Sequence, residues 1–583
     1  MAVLRFWLWA LVLAAASALA KPGDPFFKKL NEKTYQLGND FWNVTVIGGF
    51  GKRLMYNGVD LVGNASGHYV SYNGAANNLS WNLSPPRIVR KSGEYTDIMF
   101  SAAEGDMHWV LTPTLLGAYQ YFVNRALPRL GEFRTLWRLS NDTFTHGWTT
   151  ERDAPLARLA EMQEATQKTG DETWVNAQGV SFTKYDLSTF LPNIEGEPTV
   201  WGIYGKMPKS GEGIGSWYIH GGKDYLNGDH LKQELMIHRE SITGDAVQLN
   251  MIHGTHYQAR SNDAFAPGKT WGPWLWYLNN GSAADALARA RTETAAWPYP
   301  WHADERGYAS RGALSGSLRL SDGRPASRAA IFLGDTNATA PTLDQGEGYY
   351  YRTYAGADGS FHIAHVRAGN YTLHAWPGVG SGIGDVSTVF RAPVTIRSNG
   401  SATALDALSW VVPKHKPLFQ IGALDRTATG FGLAGGRHEH ARARGCPAAL
   451  NFTVGVDGME KWCFAQGQPG TWAVRFKAGP GDVGPATLTV SLAAYSAGAS
   501  AGVYVNDERV GELGPRTLGP GDPSLYRSGT LAGEWRFLEW PAKVREGENV
   551  VEFRIAPNSR DKANAANIAM RGFMWDSVLL RLN

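Results

Sequence analysis

Hydrophobic and polar residues alternate with a period of about two along much of the chain. The pattern is clear in residues 35–50, YQLGNDFWNVTVIGGF, and in residues 119–139, YQYFVNRALPRLGEFRTLWRL. Alternation of this kind predicts β-strands. Residues 283–296 differ, because they are rich in alanine and are soon followed by Pro298, so we predict a helix there. The pattern therefore predicts a mainly β protein with few helices.

Breaks in this pattern divide the chain into three units. Residues 21–301 have the length of a large β-sandwich that ends with the predicted helix and the string WPYPW. Residues 302–400 suggest a small β-sandwich of immunoglobulin or fibronectin size, in which Asp358 and Gly359 predict a hairpin turn between alternating strands. Residues 401–583 contain strands separated by Gly, Pro, Asn and Asp, which fits two packed antiparallel sheets in a jelly roll.

The first 20 residues have the composition of a signal peptide. They read MAVLRFWLWALVLAAASALA, with one arginine, an apolar run and small residues before Lys21. A membrane anchor is the alternative, although the apolar run is short for a membrane span. We therefore predict a secreted protein, extracellular or periplasmic, that begins near Lys21 and does not associate with membranes.

The composition indicates a globular protein with many aromatic side chains. The 583 residues include 22 Trp, 23 Tyr and 68 Gly, which suits all-β folds, and exposed aromatic rings also suit sugar binding. The 56 basic and 53 acidic residues are too evenly balanced to indicate a nucleic-acid partner. We expect a monomer.

Two cysteines, Cys446 and Cys463, lie close together in the third unit. In the oxidising compartment that a signal peptide implies, we expect them to form one disulfide. The nearby His438 and His440 would complete a set of four zinc ligands, but their spacing is irregular for such a site. A disulfide is therefore the preferred prediction, with zinc as the alternative.

Four strings resemble segments of the rhamnogalacturonan lyases of polysaccharide lyase family 4. They are GEFRTLWRLSNDTFTH at 131–146, FTKYDLSTF at 182–190, MIHGTHYQ at 251–258 and TWGPWLWYLNNG at 270–281. The order of the three units is similar to that family too. The resemblance implies an all-β chain with a large galactose-mutarotase-like β-super-sandwich, a fibronectin III-like sandwich and a jelly-roll domain like a carbohydrate-binding module.

The resemblance also implies an activity and the residues that carry it. The chain would be an endolyase that breaks the rhamnose-α-1,4-galacturonate bond of rhamnogalacturonan I, a pectin polysaccharide, by β-elimination. Exo action stays open. Carried over by position, Lys184 and His256 are the catalytic residues.

A β-elimination requires a base that removes the C5 proton of the galacturonate and an acid for the departing O4. Lysine acts as a base only as the neutral amine, whereas histidine titrates near neutral pH and can donate or accept a proton. We expect Lys184 to be the base and His256 to be its acid or electrostatic partner. The opposite assignment is nearly as good.

Positive charge must offset the anion that develops during the reaction. Arg134 and Arg138 are four residues apart on a predicted strand and so face the same side, which suits them to bind the substrate carboxylate in a bidentate fork. Tyr257 is a further candidate for substrate binding. The chain has no calcium-binding loop of the DxDxDG type, so we expect catalysis without a metal cofactor and leave a structural calcium ion open.

The chain departs from the family pattern at one place. The family carries tyrosines a few residues before its histidine, where this chain has Leu249 and Met251. On a strand, His253 would face away from His256 and pack inside, and we expect His238 to be structural or on the surface. Two rival functions stay open: a non-catalytic carbohydrate-binding protein, and a glycoside hydrolase with a pair of carboxylates.

Overall fold

The computed structural model shows a chain whose regular secondary structure is almost all β-strand, in three modules. It describes residues 24–73, 79–81, 84–165, 167–170, 173–178, 180–190, 196–254, 262–302, 307–337, 341–398, 400, 402–435, 442–496, 498–518, 535–557 and 572–583. The predicted signal peptide, residues 1–20, lies outside this part of the chain. The all-β fold class is confirmed. No helix in the described part is both long enough and apolar enough to span a membrane.

The first module contains two nine-stranded sheets and two smaller ones. Its elements are β1 (Phe26–Lys29), β2 (Thr34–Gly38), β3 (Trp42–Ile47), β4 (Phe50–Tyr56), β5 (Val59–Asp60), β6 (Gly67–Tyr72), β7 (Ser84–Lys91), β8 (Thr96–Ser101), β9 (Gly105–Leu111), β10 (Gly117–Asn124), β11 (Phe133–Leu139), β12 (Phe144–Trp148), β13 (Asp153–Pro155), α1 (Leu159–Gln163), β14 (Gln167–Gly170), β15 (Thr173–Val175), β16 (Ser181–Thr183), β17 (Thr189–Phe190), β18 (Thr199–Lys206), β19 (Gly213–His220), β20 (Gln233–Glu234), β21 (Ile237–Arg239), β22 (Ala246–His253), β23 (Thr270–Asn279) and α2 (Ala283–Ala296).

The two large sheets pack face to face as a super-sandwich. The first sheet has the order β1-β2-β3-β4-β6-β11-β22-β21, with β5 paired to β4, and the second has the order β13-β12-β18-β19-β23-β10-β9-β8-β7. Buried aromatic rings fill the space between them, and Trp137 of β11 stacks on Trp276 of β23 with ring centroids 4.8 Å apart. The inner faces are therefore largely apolar, although a few hydrogen-bonded polar side chains such as Thr135 and Gln248 are buried there.

The predicted helix is confirmed as α2, with the bounds Ala283–Ala296. Ser282 caps its first turn, because its hydroxyl oxygen accepts a hydrogen bond from the backbone N–H of Asp285 at 3.2 Å. The helix ends two residues before Pro298, whose ring cannot continue a helix.

The second module is a fibronectin III-like sandwich of two four-stranded sheets. Its strands are β24 (Arg311–Leu320), β25 (Ala330–Gly334), β26 (Tyr351–Tyr354), β27 (Ser360–Arg367), β28 (Gly369–Trp376), β29 (Phe390–Ile396), β30 (Ala402–Ala404) and β31 (Leu408–Trp410). One sheet has the order β27-β24-β30, with β31 also paired to β24, and the other has the order β26-β25-β28-β29. Because β30 and β31 lie beyond residue 400, the second module extends at least to Trp410, past the boundary that the sequence pattern predicted.

The predicted hairpin at Asp358 and Gly359 is wrong. Gly359 does have the positive φ of a turn, 83°. However, β26 before it pairs with β25, whereas β27 after it pairs with β24 in the opposite sheet. The chain crosses from one sheet to the other at this turn, which alternation within each strand could not reveal.

The third module packs two five-stranded sheets in a jelly-roll arrangement. Its elements are β32 (Lys416–Ile421), β33 (Leu450–Thr453), β34 (Ala465–Gln466), β35 (Gly470–Ala478), β36 (Gly484–Tyr495), β37 (Ala501–Val505), β38 (Glu508–Leu513), α3 (Pro515–Leu518), β39 (Arg536–Val544), β40 (Gly547–Ile555) and β41 (Phe573–Leu582). Cys446 and Cys463 are joined by a disulfide whose Cα atoms are 5.7 Å apart. His438 and His440 lie outside the described residues.

A buried carboxylate joins the first module to the second. Asp224 lies in the loop between β19 and β20, and its Oδ2 is 2.8 Å from Arg367 Nε and 3.0 Å from Arg311 Nη1. All three side chains are buried. Burial opposes ionisation of Asp224, but the guanidinium groups of Arg367 and Arg311 outweigh it and hold the pKa of this carboxyl below its ordinary value.

A buried arginine brings all three modules together. The guanidinium of Arg426, from the third module, lies 3.9 Å from the ring centroid of Trp376 in the second and 4.1 Å from that of Trp535 in the third. Its Nη1 is 3.4 Å from Asp229 Oδ2 of the first module and donates a hydrogen bond to Thr342 Oγ1 at 2.9 Å. The charge of Arg426 therefore has both an ionic and an aromatic partner in a dry environment.

We predict that Arg426→Ala destabilises the protein by about 3–5 kcal/mol, because it removes a buried cation that pairs with the Asp229 carboxylate. Chemical denaturation of the purified protein measures this effect. The matched control is Arg324→Ala, since Arg324 pairs with Asp322 and Asp385 at the surface, where an ion pair contributes about 1 kcal/mol or less. Equal unfolding midpoints for the two variants would contradict the role of Arg426.

Candidate functional site

Strand β11 carries the two candidate arginines on its outer face. Phe133, Trp137 and their alternate neighbours point into the sandwich core, whereas Arg134, Leu136 and Arg138 point away from it. The prediction that the two arginines share one face is therefore confirmed, and Leu136 lies between them. This alternation follows directly from the period of two along a strand.

The neighbouring strands extend this outer face on both sides of β11. Side chains directly opposite each other in the register share a face of the sheet. Arg134 is opposite Ser71 of β6, Leu136 is opposite both Tyr69 and Leu249, and Arg138 is opposite Val247 of β22. The outer face consists of these side chains together with those of Met251 and His238. Met251 lies on β22, and His238 lies on β21 opposite Val247.

Acidic side chains already engage both arginines, but to different degrees. Arg134 Nη1 is 3.0 Å from Glu132 Oε1, and its Nε donates a hydrogen bond to Ser71 Oγ at 3.2 Å. Arg138 has two carboxylate partners, Glu240 at 2.8 Å and Asp245 at 3.5 Å. Its charge is therefore more fully offset than that of Arg134, which makes Arg134 the better candidate to bind a substrate carboxylate.

The turn that carries Lys184 wraps around the edge of the same sheet. Lys184 follows β16, and the next residue, Tyr185, is buried in the same apolar cluster as Tyr69 and Leu136 of the outer face. Two residues later, Leu187 packs with Ile237 in the sandwich core. Because these contacts hold the turn on both sides of β21, Lys184 lies beside the outer face.

Lys184 lines a cavity of about 270 Å³ at this edge, which we name the edge cavity. Its walls come from the segment around β13 and α1, from the hairpin of β15 and β16, from the Lys184 turn and from β21. The polar and charged side chains that matter for its chemistry are Arg152, Glu161, Lys184, Asp186, His238 and Arg239.

His256 and Tyr257 lie outside the described residues, but the described ends of their segment are well placed. Gly254, just after β22, donates its backbone N–H to Asn227 Oδ1 at 2.9 Å. Its φ is +76°, and a Cβ there would lie 2.0 Å from the carbonyl oxygen of Gly131. On the other side, Asp263 forms a β-bridge with Leu130. Both ends therefore lie next to the start of the arginine-bearing strand.

His253 faces the interior, as predicted, and is fully buried. Its Nε2 is 2.8 Å from Asp263 Oδ2. Burial lowers the pKa of His253 to about 4, although the hydrogen bond and charge of Asp263 favour protonation. His253 is therefore a neutral structural residue that ties β22 to Asp263.

Comparison with known proteins decides the family. A rhamnogalacturonate lyase of Dickeya dadantii is 31% identical to this chain over 473 residues, which cover 77% of the chain and 76% of that protein. The family model for polysaccharide lyase family 4 domain II, a fibronectin-like domain, matches residues 321–405, and the model for domain III, which is like a carbohydrate-binding module, matches residues 417–580. The chain belongs to polysaccharide lyase family 4.

Fungal relatives of this family 4 member are more distant. A probable rhamnogalacturonate lyase B of Aspergillus flavus is 28% identical over 284 residues, covering 44% of this chain and 41% of that protein. A probable rhamnogalacturonate lyase A of Neosartorya fischeri is 21% identical over 468 residues, covering 77% and 82% of the two chains.

The sequence pattern did not indicate two polar residues of the edge cavity. Nothing in the sequence marks Arg152, and His238 was expected to be structural or on the surface, yet both line the cavity with Lys184. His238 sits at the centre of a short strand, but only the pairing of that strand with β22 shows which face it takes. Trp274 and Trp276 of β23 are fully buried in the sandwich core.

Because His253 is buried as the neutral form, it binds a proton more weakly in the folded than in the unfolded protein. Its contribution to stability is therefore present above pH 6.5 and is lost as the pH falls toward 4. We predict that His253→Gln loses less stability than the wild type, by about 2 kcal/mol, when the pH falls from 6.5 to 4.5. Urea unfolding at the two pH values measures this difference.

The exposed His362 offers a control for that measurement. A His362→Gln variant should keep the wild-type loss of stability between the two pH values. If His253→Gln also keeps it, His253 is not the buried neutral group that the structure indicates.

Proposed function

We propose that this protein is a rhamnogalacturonan lyase that cuts the rhamnose-α-1,4-galacturonate bond by β-elimination. The observation that carries the proposal is the packing of the Lys184 turn, through Tyr185, onto the outer face that bears Arg134 and Arg138. The nearness of a lysine on this turn to two arginines of β11 supports the proposal. The relatives named rhamnogalacturonate lyase support the same activity.

The proposed reaction breaks two bonds and forms one double bond, without water. A base removes the proton from C5 of the galacturonate, which is next to its carboxylate. The electron pair forms the C4–C5 double bond while the C4–O4 bond breaks, and the departing O4 takes a proton. The products are an unsaturated galacturonate end and a free hydroxyl on the other fragment.

Each candidate residue has one proposed role in this reaction. Lys184, as the neutral amine, removes the C5 proton, and His256 protonates O4 or stabilises the charge, with the exchange of these two roles as the alternative. Arg134 binds the carboxylate of the reacting sugar, which stabilises the anion that develops beside it. Arg138 adds positive potential, and Tyr257 contacts the substrate.

The proposal includes the setting of the reaction. The substrate is rhamnogalacturonan I, a component of pectin, and the enzyme cuts within the polymer as a monomer exported by its N-terminal signal peptide. Cationic side chains supply the positive charge, so catalysis proceeds without a metal cofactor, and a structural calcium ion elsewhere in the chain would be compatible with this role.

The decisive assay incubates the protein with rhamnogalacturonan and follows the ultraviolet absorbance of the new C4–C5 double bond. A lyase raises this absorbance, and cutting within the polymer lowers the viscosity early in the reaction. A glycoside hydrolase would release fragments without any rise in absorbance, and a non-catalytic binding protein would release no fragments. Either of those results would defeat the proposal.

Removal of the proposed base should abolish turnover. We predict that Lys184→Ala lowers kcat at least about 100-fold, the usual contribution of a positioned acid or base, while the unfolding midpoint stays close to that of the wild type. Lys209→Ala, at an exposed position in the turn after β18, is the matched control and should keep full activity. A folded Lys184→Ala protein with wild-type kcat would refute the assignment.

The carboxylate-binding role of Arg134 predicts a different kinetic signature. Lysine cannot reproduce the planar fork of arginine, so Arg134→Lys should lower kcat/KM about tenfold or more although it keeps the charge. The same change at Arg138, which two carboxylates already engage, should have a smaller effect on kcat/KM. Equal effects at both positions in steady-state assays would show that Arg134 has no special role.

A further inference from the structure

Two arginines that line the edge cavity, Arg152 and Arg239, have no role in the proposed reaction. Arg152 lies on the turn before β13, and its Nη1 donates a hydrogen bond to the backbone oxygen of Asp186 at 2.6 Å. The carboxylate of Asp186 is farther away, at 3.9 Å. Among the described residues, no hydrogen bond engages Arg152 Nη2, so one edge of this guanidinium is available to a ligand.

The acidic residues of the cavity are largely committed to other partners. Glu161 caps α1, because its carboxylate accepts the backbone N–H of Arg158 at 2.9 Å and pairs with the Arg158 side chain at 3.0 Å. Asp186 accepts the backbone N–H of Thr183 at 3.0 Å. The charge of Glu161 is therefore offset by Arg158, which does not line the cavity, and the Asp186 carboxylate is held by a backbone N–H.

Arg239 adds a positive charge that has no carboxylate within ion-pair distance in the described part of the chain. Its guanidinium is buried and donates hydrogen bonds to the backbone oxygens of Ala157 at 3.1 Å, Gly244 at 2.9 Å and Phe144 at 3.2 Å. Together with Arg152, it supplies guanidinium groups to the cavity, which favours an anionic ligand.

His238 connects this cavity to the outer face. It lines the cavity, and it is opposite Val247, which in turn is opposite Arg138. Two strand spacings of about 4.8 Å each therefore separate His238 from Arg138. A polymer that crosses the arginines and continues in this direction reaches His238 and then Arg152.

The apolar part of the cavity wall suits a sugar ring. Leu156, Phe182 and Ile237 line it beside the charged groups. An aromatic and aliphatic surface can contact the C–H face of a pyranose while polar side chains bind its hydroxyl and carboxylate groups. A volume of about 270 Å³ lies just below the usual range of ligand pockets, so it suits one sugar residue rather than several.

We propose that the edge cavity is a second uronate subsite, in which Arg152 binds the carboxylate of a uronic acid residue and His238 hydrogen-bonds to its ring substituents. This uronate is distinct from the one whose carboxylate Arg134 binds, and the subsite holds the polymer in register beside Lys184. The identity of the polymer rests on the proposed function, but the preference for a uronate rests on the cavity itself.

The test compares two sugars that differ only at C6. Galacturonate carries a carboxylate there and galactose a hydroxymethyl group, so the charge of the ligand is the only large variable. Titration calorimetry, or ligand-observed NMR for weak binding, should show that the wild-type protein binds galacturonate at least about tenfold more tightly than galactose. Raising the ionic strength should weaken the binding of galacturonate and leave that of galactose unchanged.

Variants then locate the subsite. Arg152→Gln should weaken galacturonate binding about tenfold or more and raise the KM for the polymer, with kcat within about twofold of the wild type. His238→Gln should weaken both sugars, because it contacts the ring. Arg324→Gln, in the surface ion pair with Asp385, is the matched control and should change neither measurement.

The outcomes separate this inference from the proposed function. If galacturonate and galactose bind equally, or if Arg152→Gln and His238→Gln both bind galacturonate as the wild type does, the subsite is refuted even when the protein is an active lyase. If binding depends on Arg152 but rhamnogalacturonan yields no unsaturated product, the subsite stands and the lyase proposal fails. If Arg152→Gln does not fold, the salt dependence of galacturonate binding is measured with Arg152→Lys, which keeps the positive charge. Binding that weakens with ionic strength as in the wild type supports the subsite, and binding that does not change with ionic strength refutes it.

Discussion

The burial of charge at the boundaries between modules is the constraint on which the rest of the structure depends. Asp224 projects from a loop of the first module into a site where two arginines of the second module meet its carboxylate. An isolated buried carboxylate would be strongly destabilising, so this loop can adopt its position only when the second module is docked. The same loop region supplies Asn227, which holds Gly254 at the end of β22.

The docked second module also contacts the segment that leads away from the candidate site. Glu347 Oε1 accepts the backbone N–H of Ala264 at 2.9 Å, Tyr349 Oη accepts that of Thr270 at 3.1 Å, and the carbonyl oxygen of Gly346 accepts a hydrogen bond from Lys269 Nζ at 2.7 Å. Backbone groups that would otherwise need water are satisfied by another module. The geometry of the site is thus partly a product of module packing.

The sequence pattern predicted what depends on local periodicity. The strands, the bounds of α2 and the shared face of Arg134 and Arg138 follow from the spacing of residues along one element. The hairpin at Asp358 and Gly359 was wrong, because alternation does not tell which sheet each strand joins. The sequence pattern also could not show which distant strands pair. It therefore did not show which carboxylates engage Arg138, or that His238 lines the same cavity as Lys184.

The guanidinium of Arg426 has a consequence for how such modules are exchanged during evolution or in engineered chimeras. Its partners are distributed over three modules: a carboxylate from the first, an indole from the second and an indole from the third. A donor jelly roll that brings a different side chain to this point leaves Asp229 of the recipient without its cation. A chimera therefore keeps its function most readily when all the residues that contact Arg426 are exchanged together. An exchange whose boundary lies in the linker between modules does not include all of them.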